Sequence, residues 1–451
     1  MSLITLLREG AAAEPDEPLI VSPERALSYA EALTRCEALA RGLLARSIDR
    51  FACAITDAVE LLPLLCASSA VGAEACVYPA DADESLINDY LVMFDHRVIV
   101  SDRPLDHASA KVISVADLAT DEGALPPPPA VSPTLILTTG TTGRARGVRH
   151  DWSRLVAAMR HSDDQPGARW LLAYNLNQFA GTQILLHVLA SRATLVAPKS
   201  THVRDAVAAV KELGVTHVSA TPTFWRFFTG LIDPATARDM TLRQITLGGE
   251  AVPSALLDSL ARLFPQARIS QIYGATEFGM VGSVRDGRSG LPASVLDRGD
   301  DSDVQVRIID GEIHLRSRVG MLGYYGEPDA GNEWRATGDL VRVEGDRIIF
   351  VGRASETINV GGVKVHPLPV EEAAGRVSGV ALVRAYGRPS PVTGQIVALD
   401  VILRPDADPR KVEDEIRTAC SALLPAAQPR RIRFVDHIET RGNKVARIST
   451  R

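Results

Sequence analysis

The 451-residue chain lacks most of the features that mark a specialised class of protein. Its five cysteines (Cys36, Cys53, Cys66, Cys76, Cys420) stand singly, with no Cys-x-x-Cys and no Cys/His ligand spacing. That excludes a disulfide framework and a thiolate metal site, and predicts reduced core thiols. No apolar run approaches the roughly 20 residues needed to cross a bilayer, so no membrane partner is expected. The opening Met-Ser-Leu-Ile-Thr-Leu-Leu-Arg-Glu is too short and too charged for a signal peptide, and a cytoplasmic protein is the expectation. Lys and Arg number 49 against 55 Asp and Glu, a formal net charge of −6. Without a domain-sized basic excess, no nucleic-acid partner is expected. There is no internal repeat and no long low-complexity segment. The Gly-x-x-x-x-Gly-Lys-Ser/Thr spacing of the common nucleotide triphosphatases is also missing.

What is present is a soluble, globular composition, 46% hydrophobic and 23% charged. The length exceeds a single usual core and predicts two or more domains. Over most of the chain, short apolar runs alternate with helical periodicity. Residues 27–46 read as a helix with Ser28 as N-cap and Glu31 closing a capping box, Phe51–Thr56 as a strand, and 58–71 as a helix ended by Gly72. The rhythm continues through Trp152–His161 (helix), Trp170–Tyr174 (strand), 203–213 (helix) and Arg268–Tyr273 (strand). Such alternation predicts a parallel α/β sheet. From about 303 short strands and turns take over, predicting a small β-rich subdomain, and a further α/β unit is expected from about Val363. The expected fold class is therefore α/β: a large N-terminal domain of parallel α/β subdomains plus the β-rich part (1–352), and a small, mobile α+β C-terminal domain (353–451).

The most informative stretch is Leu135-Ile-Leu-Thr-Thr-Gly-Thr-Thr-Gly-Arg-Ala-Arg-Gly-Val148. A proline run, Pro126–Pro129, delivers the chain into it as an extended connector. Glycines allow tight turns and close backbone approach to a ligand, leaving successive N–H groups free for an anion. The hydroxyls of Thr138, Thr139, Thr141 and Thr142 can donate to phosphate oxygens, and Arg144 and Arg146 bring positive charge. The reading from the residues alone is a phosphate cradle built on Gly140, Gly143 and these neighbours; a flexible surface loop is the alternative.

Three more segments follow in order: Gln271-Ile-Tyr-Gly-Ala-Thr-Glu-Phe-Gly279, Thr337-Gly-Asp-Leu340 with Gly352-Arg353, and Gly442-Asn-Lys-Val-Ala-Arg447. Together the four segments resemble the adenylate-forming superfamily of acyl-CoA synthetases, non-ribosomal-peptide adenylation domains and luciferases, with aryl or small-acyl CoA ligases closest in character. The resemblance implies ATP and Mg²⁺ dependence. It also implies an acyl-adenylate formed from a small-molecule acid, and an acyl group passed to CoA or to the phosphopantetheine of a free-standing carrier protein, with a monomer or homodimer expected. It assigns Tyr273 and Gly274, with Gly248-Gly249-Glu250, to the adenine slot, Thr276 to the α-phosphate and Glu277 to magnesium. Asp339 is assigned to the ribose diol, assisted by Arg353, and Lys444 to the bridge between carboxylate and phosphate. Arg146 stands where the family usually has lysine and keeps the charge.

The acid pocket is implied to involve Asn177, Gln178, Phe179, Gly181 and Phe224, and the thiol channel Gly361 and Gly362. Asn177 and Gln178 are more polar than a fatty-acid tunnel requires, which points to a small polar or aromatic acid, or equally to amides bonded to neighbouring backbone. Ser355 replaces the aspartate usual at the hinge, so domain alternation is expected without that residue. An amine acceptor, a non-carboxylate oxyacid such as nitrite, and a non-catalytic nucleotide-binding regulator remain alternatives.

Overall fold

The computed structural model describes residues 2–139, 145–159, 164–441 and 444–445. Of the residues expected in the phosphate loop, Gly140, Thr141, Thr142, Gly143 and Arg144 lie outside the described residues, as do Gly442 and Arg447 of the tail motif. The chain divides into two compact units. The first comprises Met1–Ser219, Ala275–Gly279 and Val319–Asn332; the second comprises Ala220–Gly274, Met280–Arg318 and Glu333–Arg451.

In the first unit a seven-stranded sheet is built on a parallel core. Arg50–Ala54 lies between Glu74–Val77 and Val98–Ser101, and Lys111–Ser114 closes one edge. Pro133–Thr139 adds parallel to Glu74–Val77 and then reverses into Ala145–Asp151. Gly323–Tyr324 pairs antiparallel at the far side. The helix Ala58–Val71 against this sheet is apolar nearly all round and almost wholly buried, as expected of a helix between layers. It starts at an Asp57 side chain that accepts from Val59 N–H and ends at Gly72, whose φ of 73° is the left-handed stop that glycine adopts without strain. The expected capping box is present: Ser28 accepts from Glu31 N–H, and the Glu31 carboxylate accepts from Ser28 N–H. The helix beginning at Trp152 runs to Ala157, and His161 is outside the described residues.

The second unit holds a parallel pair, Gln244–Gly248 and Arg268–Ala275, and a five-stranded sheet in which Arg347–Arg353, Arg335–Glu344, Glu312–Ser317 and Val304–Ile309 run antiparallel. The turn Asp310-Gly311 has positive φ at both residues (49° and 78°), the two-residue hairpin geometry that matches strand twist. The C-terminal sheet begins one strand earlier than Val363, because Ile358–Val360 pairs with Val363–Val365 through Gly361-Gly362. Both glycines have positive φ (58° and 86°), so the hairpin itself demands them. Its core is formed by Val370, Val383, Leu399, Val401 and Ile416. Among the described residues no helix is long and apolar enough to cross a membrane.

Behind the first unit's sheet, His96 is only 4% exposed, with Nδ1 2.8 Å from the Tyr78 hydroxyl and Nε2 without a partner among the described residues. Burial, and then the Arg50 charge, push its pKa down to about 3. The neutral form is therefore the one the fold accepts. The unfolded chain binds the proton first, near the ordinary 6.5, so stability falls as pH drops below that value. By pH 4 the loss from this residue is about 3 kcal/mol. Chemical denaturation at pH 7 and pH 4 should show that gap shrinking by about this amount in His96→Gln; an unchanged gap would contradict the assignment.

Candidate functional site

In the second unit the strand Arg268–Ala275 carries Tyr273, whose hydroxyl donates to Asp339 Oδ2 at 2.7 Å. Its ring rests against Phe350, centroids 4.9 Å apart. Asp339 sits directly opposite Arg353 in the antiparallel register, and Arg353 Nε lies 3.2 Å from Asp339 Oδ1. The approach to Asp339 is shaped by Gly338 (φ 78°), whose N–H donates to Glu312, and by the Thr337 hydroxyl, which accepts from Asp339 N–H. Arg353 also donates to the Thr337 carbonyl at 2.8 Å. Burial raises the Asp339 pKa, while Arg353, the Tyr273 hydrogen bond and the charge of Lys444 oppose the rise. A carboxylate accepts about four hydrogen bonds, so this one keeps capacity for a ligand's hydroxyls beside its two protein donors.

Beyond the strand Gln244–Gly248 the chain turns at Gly249 with φ 80°. A Cβ there would come within 2.8 Å of Lys444 Cε and 3.2 Å of Nζ, so the lysine side chain lies directly over a glycine α-carbon. The short hairpin Thr440–Arg441 with Lys444–Val445 presents it. The hairpin is docked by Val445, whose side chain joins Leu382 and Ile438 in a small apolar cluster and whose N–H donates to Glu250 Oε1 at 3.1 Å. Glu250 also accepts from Thr223 N–H and from the Thr223 hydroxyl. Thr223 lies in the helix Pro222–Gly230, started by a Thr221 cap and Pro222 at its first position. Phe224 is buried and stacked on Phe228, edge-on to Trp225.

In the first unit, Thr138 and Arg146 face each other on the paired strands that flank the glycine-rich loop, and Thr139 ends the first strand. The Arg146 guanidinium lies 3.3 Å over the Tyr324 ring and pairs with Glu327 at 2.7 Å. The Tyr324 hydroxyl donates to Glu277 Oε1 at 3.0 Å, and Glu277 O accepts from Met321 N–H. The neighbouring Thr276 carbonyl accepts from His150 Nε2–H at 2.8 Å. His150 is buried and stacked on Phe179, and burial holds its pKa down to about 4, so it is a neutral donor. Phe179 opens the helix Phe179–Ala190, with Gln178 as an N-cap that makes no side-chain capping bond. Gly181 is required by contact: a Cβ there would meet the Asn175 carbonyl oxygen at 2.3 Å. Asn177 Oδ1 is buried without a hydrogen-bond partner among the described residues, and its side chain shares a small cavity with Trp152 and Thr182.

Within the second unit, then, the fold gathers Tyr273, Asp339, Arg353, Gly249, Glu250 and Lys444; within the first it gathers Arg146, Thr276, Glu277 and Phe179. Gly274 lies on the strand between Tyr273 and Ala275, and Gly248 ends the neighbouring one. Gly361 and Gly362 form a hairpin turn, with open space where a Cβ on Gly362 would stand. Sequence reasoning missed Tyr324, Glu327, His150 and Thr223. Tyr324 lies in a two-residue strand too short for periodicity to reveal, and Ala145–Asp151 buries neighbouring residues on both faces, so no alternation marks His150.

Residues 7–325 match the family model "AMP-binding enzyme", and 369–444 match "AMP-binding enzyme C-terminal domain". The chain is 26% identical over 429 residues to tyrocidine synthase 3 of Brevibacillus parabrevis, covering 84% of this chain and 6% of that protein. It is also 26% identical to 4-chlorobenzoate–CoA ligase of Pseudomonas sp. (strain CBS-3), covering 72% of this chain and 66% of that one. It thus spans less than two thirds of each of these two curated relatives. The crystal structure of the anthranilate CoA ligase AuaEII in complex with anthranoyl-AMP superposes with a TM-score of 0.85 at 18% identity, over 98% of this chain and 95% of that one, and so shares the fold. With a family model covering more than half of its length, this chain belongs to the AMP-binding enzymes, within the adenylate-forming superfamily.

Proposed function

We propose that the chain is an ATP- and Mg²⁺-dependent acid ligase. A carboxylate oxygen of a small polar or aromatic acid attacks the α-phosphorus of ATP, the bond to pyrophosphate breaks, and an acyl-adenylate forms. A thiolate, from CoA or from the phosphopantetheine of a carrier protein, then attacks the acyl carbon and AMP leaves. Named activities of the relatives, among them 4-chlorobenzoate–CoA ligase, 2-succinylbenzoate–CoA ligase and a fatty acid–acyl-carrier-protein ligase, support this reaction class.

The observation that carries the reading is the position of Lys444. Lys444 is exposed, and an exposed lysine ordinarily has no fixed position. Here it lies over Gly249, and its neighbour Val445 is hydrogen-bonded to Glu250, 195 residues away in sequence. The first chemical step brings two anions together, so a positioned ammonium lowers its barrier by stabilising charge shared between carboxylate and phosphate. Asp339, with acceptor capacity left, suits the two ribose hydroxyls, and Arg353 keeps it oriented. Tyr273 and the flat backbone at Gly248-Gly249 suit the adenine ring. Arg146 and the Thr276 hydroxyl are the donors for phosphate oxygens.

Glu277 fits a magnesium ion: it is a hard oxygen donor, and its second oxygen has no partner among the described residues. The ion would neutralise phosphate charge. For the acid, Phe179 offers an aromatic wall and Asn177 Oδ1, without a partner among the described residues, an acceptor for a hydroxyl or amino group. The Gly361-Gly362 turn is assigned to the thiol channel.

Pyrophosphate release should rise only when an acid is supplied, which a panel of aryl, alkyl and amino acids with and without CoA will measure. Lys444→Ala should abolish acid-dependent release while ATP still binds with an affinity within about threefold of wild type, since the lost contact belongs chiefly to the reacting state. Normal adenylation by that variant would refute the assignment. The wild-type enzyme should also bind 2′,3′-dideoxy-ATP about tenfold more weakly than ATP, because the half-buried Asp339 carboxylate loses two donors. Asp339→Asn should narrow that ratio, and undiminished discrimination would contradict the ribose assignment.

A further inference from the structure

Tyr324 belongs to none of the motifs that suggested the function, yet it touches two residues assigned to it. The two-residue strand Gly323–Tyr324 is pinned from both sides. Leu322 N–H donates to the Arg149 carbonyl and Tyr325 N–H to the Gly147 carbonyl, each at 2.8 Å. Gly323 lets the chain pass close: a Cβ there would meet the Pro328 carbonyl at 2.8 Å. Tyr325 is further anchored by Arg50, which donates to its hydroxyl at 3.1 Å and lies 4.5 Å over its ring. The Tyr324 backbone is therefore held on both sides, which fixes the point from which its side chain reaches its partners. One end of it donates to Glu277 Oε1 at 3.0 Å; its ring face carries the Arg146 guanidinium at 3.3 Å, the far side of which is held by Glu327.

We propose that Tyr324 is a positioning residue that presents the Glu277 carboxylate to the nucleotide's divalent cation through its hydroxyl, and the phosphate-binding Arg146 through its ring. The inference rests on the roles given to Glu277 and Arg146 above. A hydroxyl bonded to one carboxylate oxygen fixes the rotamer of the group and leaves the other oxygen facing outward for a hard cation. A ring face attracts a guanidinium without consuming its N–H donors, which stay available for phosphate oxygens. The two functions reside in different atoms of one side chain, so they can be removed separately.

The test is acid-dependent ATP–pyrophosphate exchange, titrated separately in free Mg²⁺ and in ATP. Tyr324→Phe keeps the ring and loses the hydroxyl. It should raise the half-saturating Mg²⁺ concentration about tenfold, the scale of one hydrogen bond to a charged group, while kcat at saturating Mg²⁺ and the KM for ATP stay within about twofold. Tyr324→Leu should raise the KM for ATP as well. In a Glu277→Gln background, Tyr324→Phe should produce no further change in the metal titration. Thermal melting of each variant reports whether it is folded. A folded Tyr324→Phe enzyme with a wild-type Mg²⁺ titration would overturn the positioning role and leave the ligase reading standing. A wild-type protein with no acid-dependent exchange would overturn both.

Discussion

The carboxylate of Asp339 is held between two donors of different kinds, the Tyr273 hydroxyl at 2.7 Å and Arg353 Nε at 3.2 Å. Each donor comes from a different strand: Tyr273 from Arg268–Ala275, Arg353 from the partner of Asp339's own strand. A charge taken out of water is tolerated only when such partners compensate it. Burial raises the Asp339 pKa despite them, so its charge is kept at some expense in stability. That is the condition expected of a carboxylate retained to meet a ligand.

The same principle recurs at the other charged groups. Glu250 collects three donors, two from Thr223 and one from the tail hairpin. Glu277 is fixed by Tyr324, and Arg146 lies between that ring and Glu327. The Thr276 peptide is held by a histidine whose burial keeps it neutral. Groups that are already oriented need little rearrangement when charge develops beside them. Lys444 is the exception in its origin: it is placed by a short hairpin rather than by a sheet, through Val445's apolar contacts and a single backbone bond to Glu250.

Much of the fold was legible in the chain. The α/β class follows from the alternation of apolar runs and helical periods. The Ser28 capping box, the Gly72 stop and the β-rich stretch beyond 303 were readable because each rests on local chemistry. Family membership was legible from four ordered motifs, none of them sufficient alone. The C-terminal sheet was read one strand late because Ile358–Val360 is short and flanked by polar residues, leaving no periodicity to detect. The supports of the candidate site were not legible for a different reason. Tyr324 meets Glu277 and Thr223 meets Glu250 through pairings that only the folded topology creates. Glycines have local reasons in the fold as well: a Cβ on Gly181 would meet the Asn175 carbonyl, and Gly361-Gly362 turn a hairpin with positive φ.

The most direct measurement is a crystal structure of the protein with ATP bound. The account predicts the ribose hydroxyls on the Asp339 carboxylate, the adenine against Tyr273 and the Gly249 backbone, and the Lys444 ammonium directed at the α-phosphate. A nucleotide seated away from Asp339 and Tyr273, with Lys444 still resting over an empty Gly249, would contradict it.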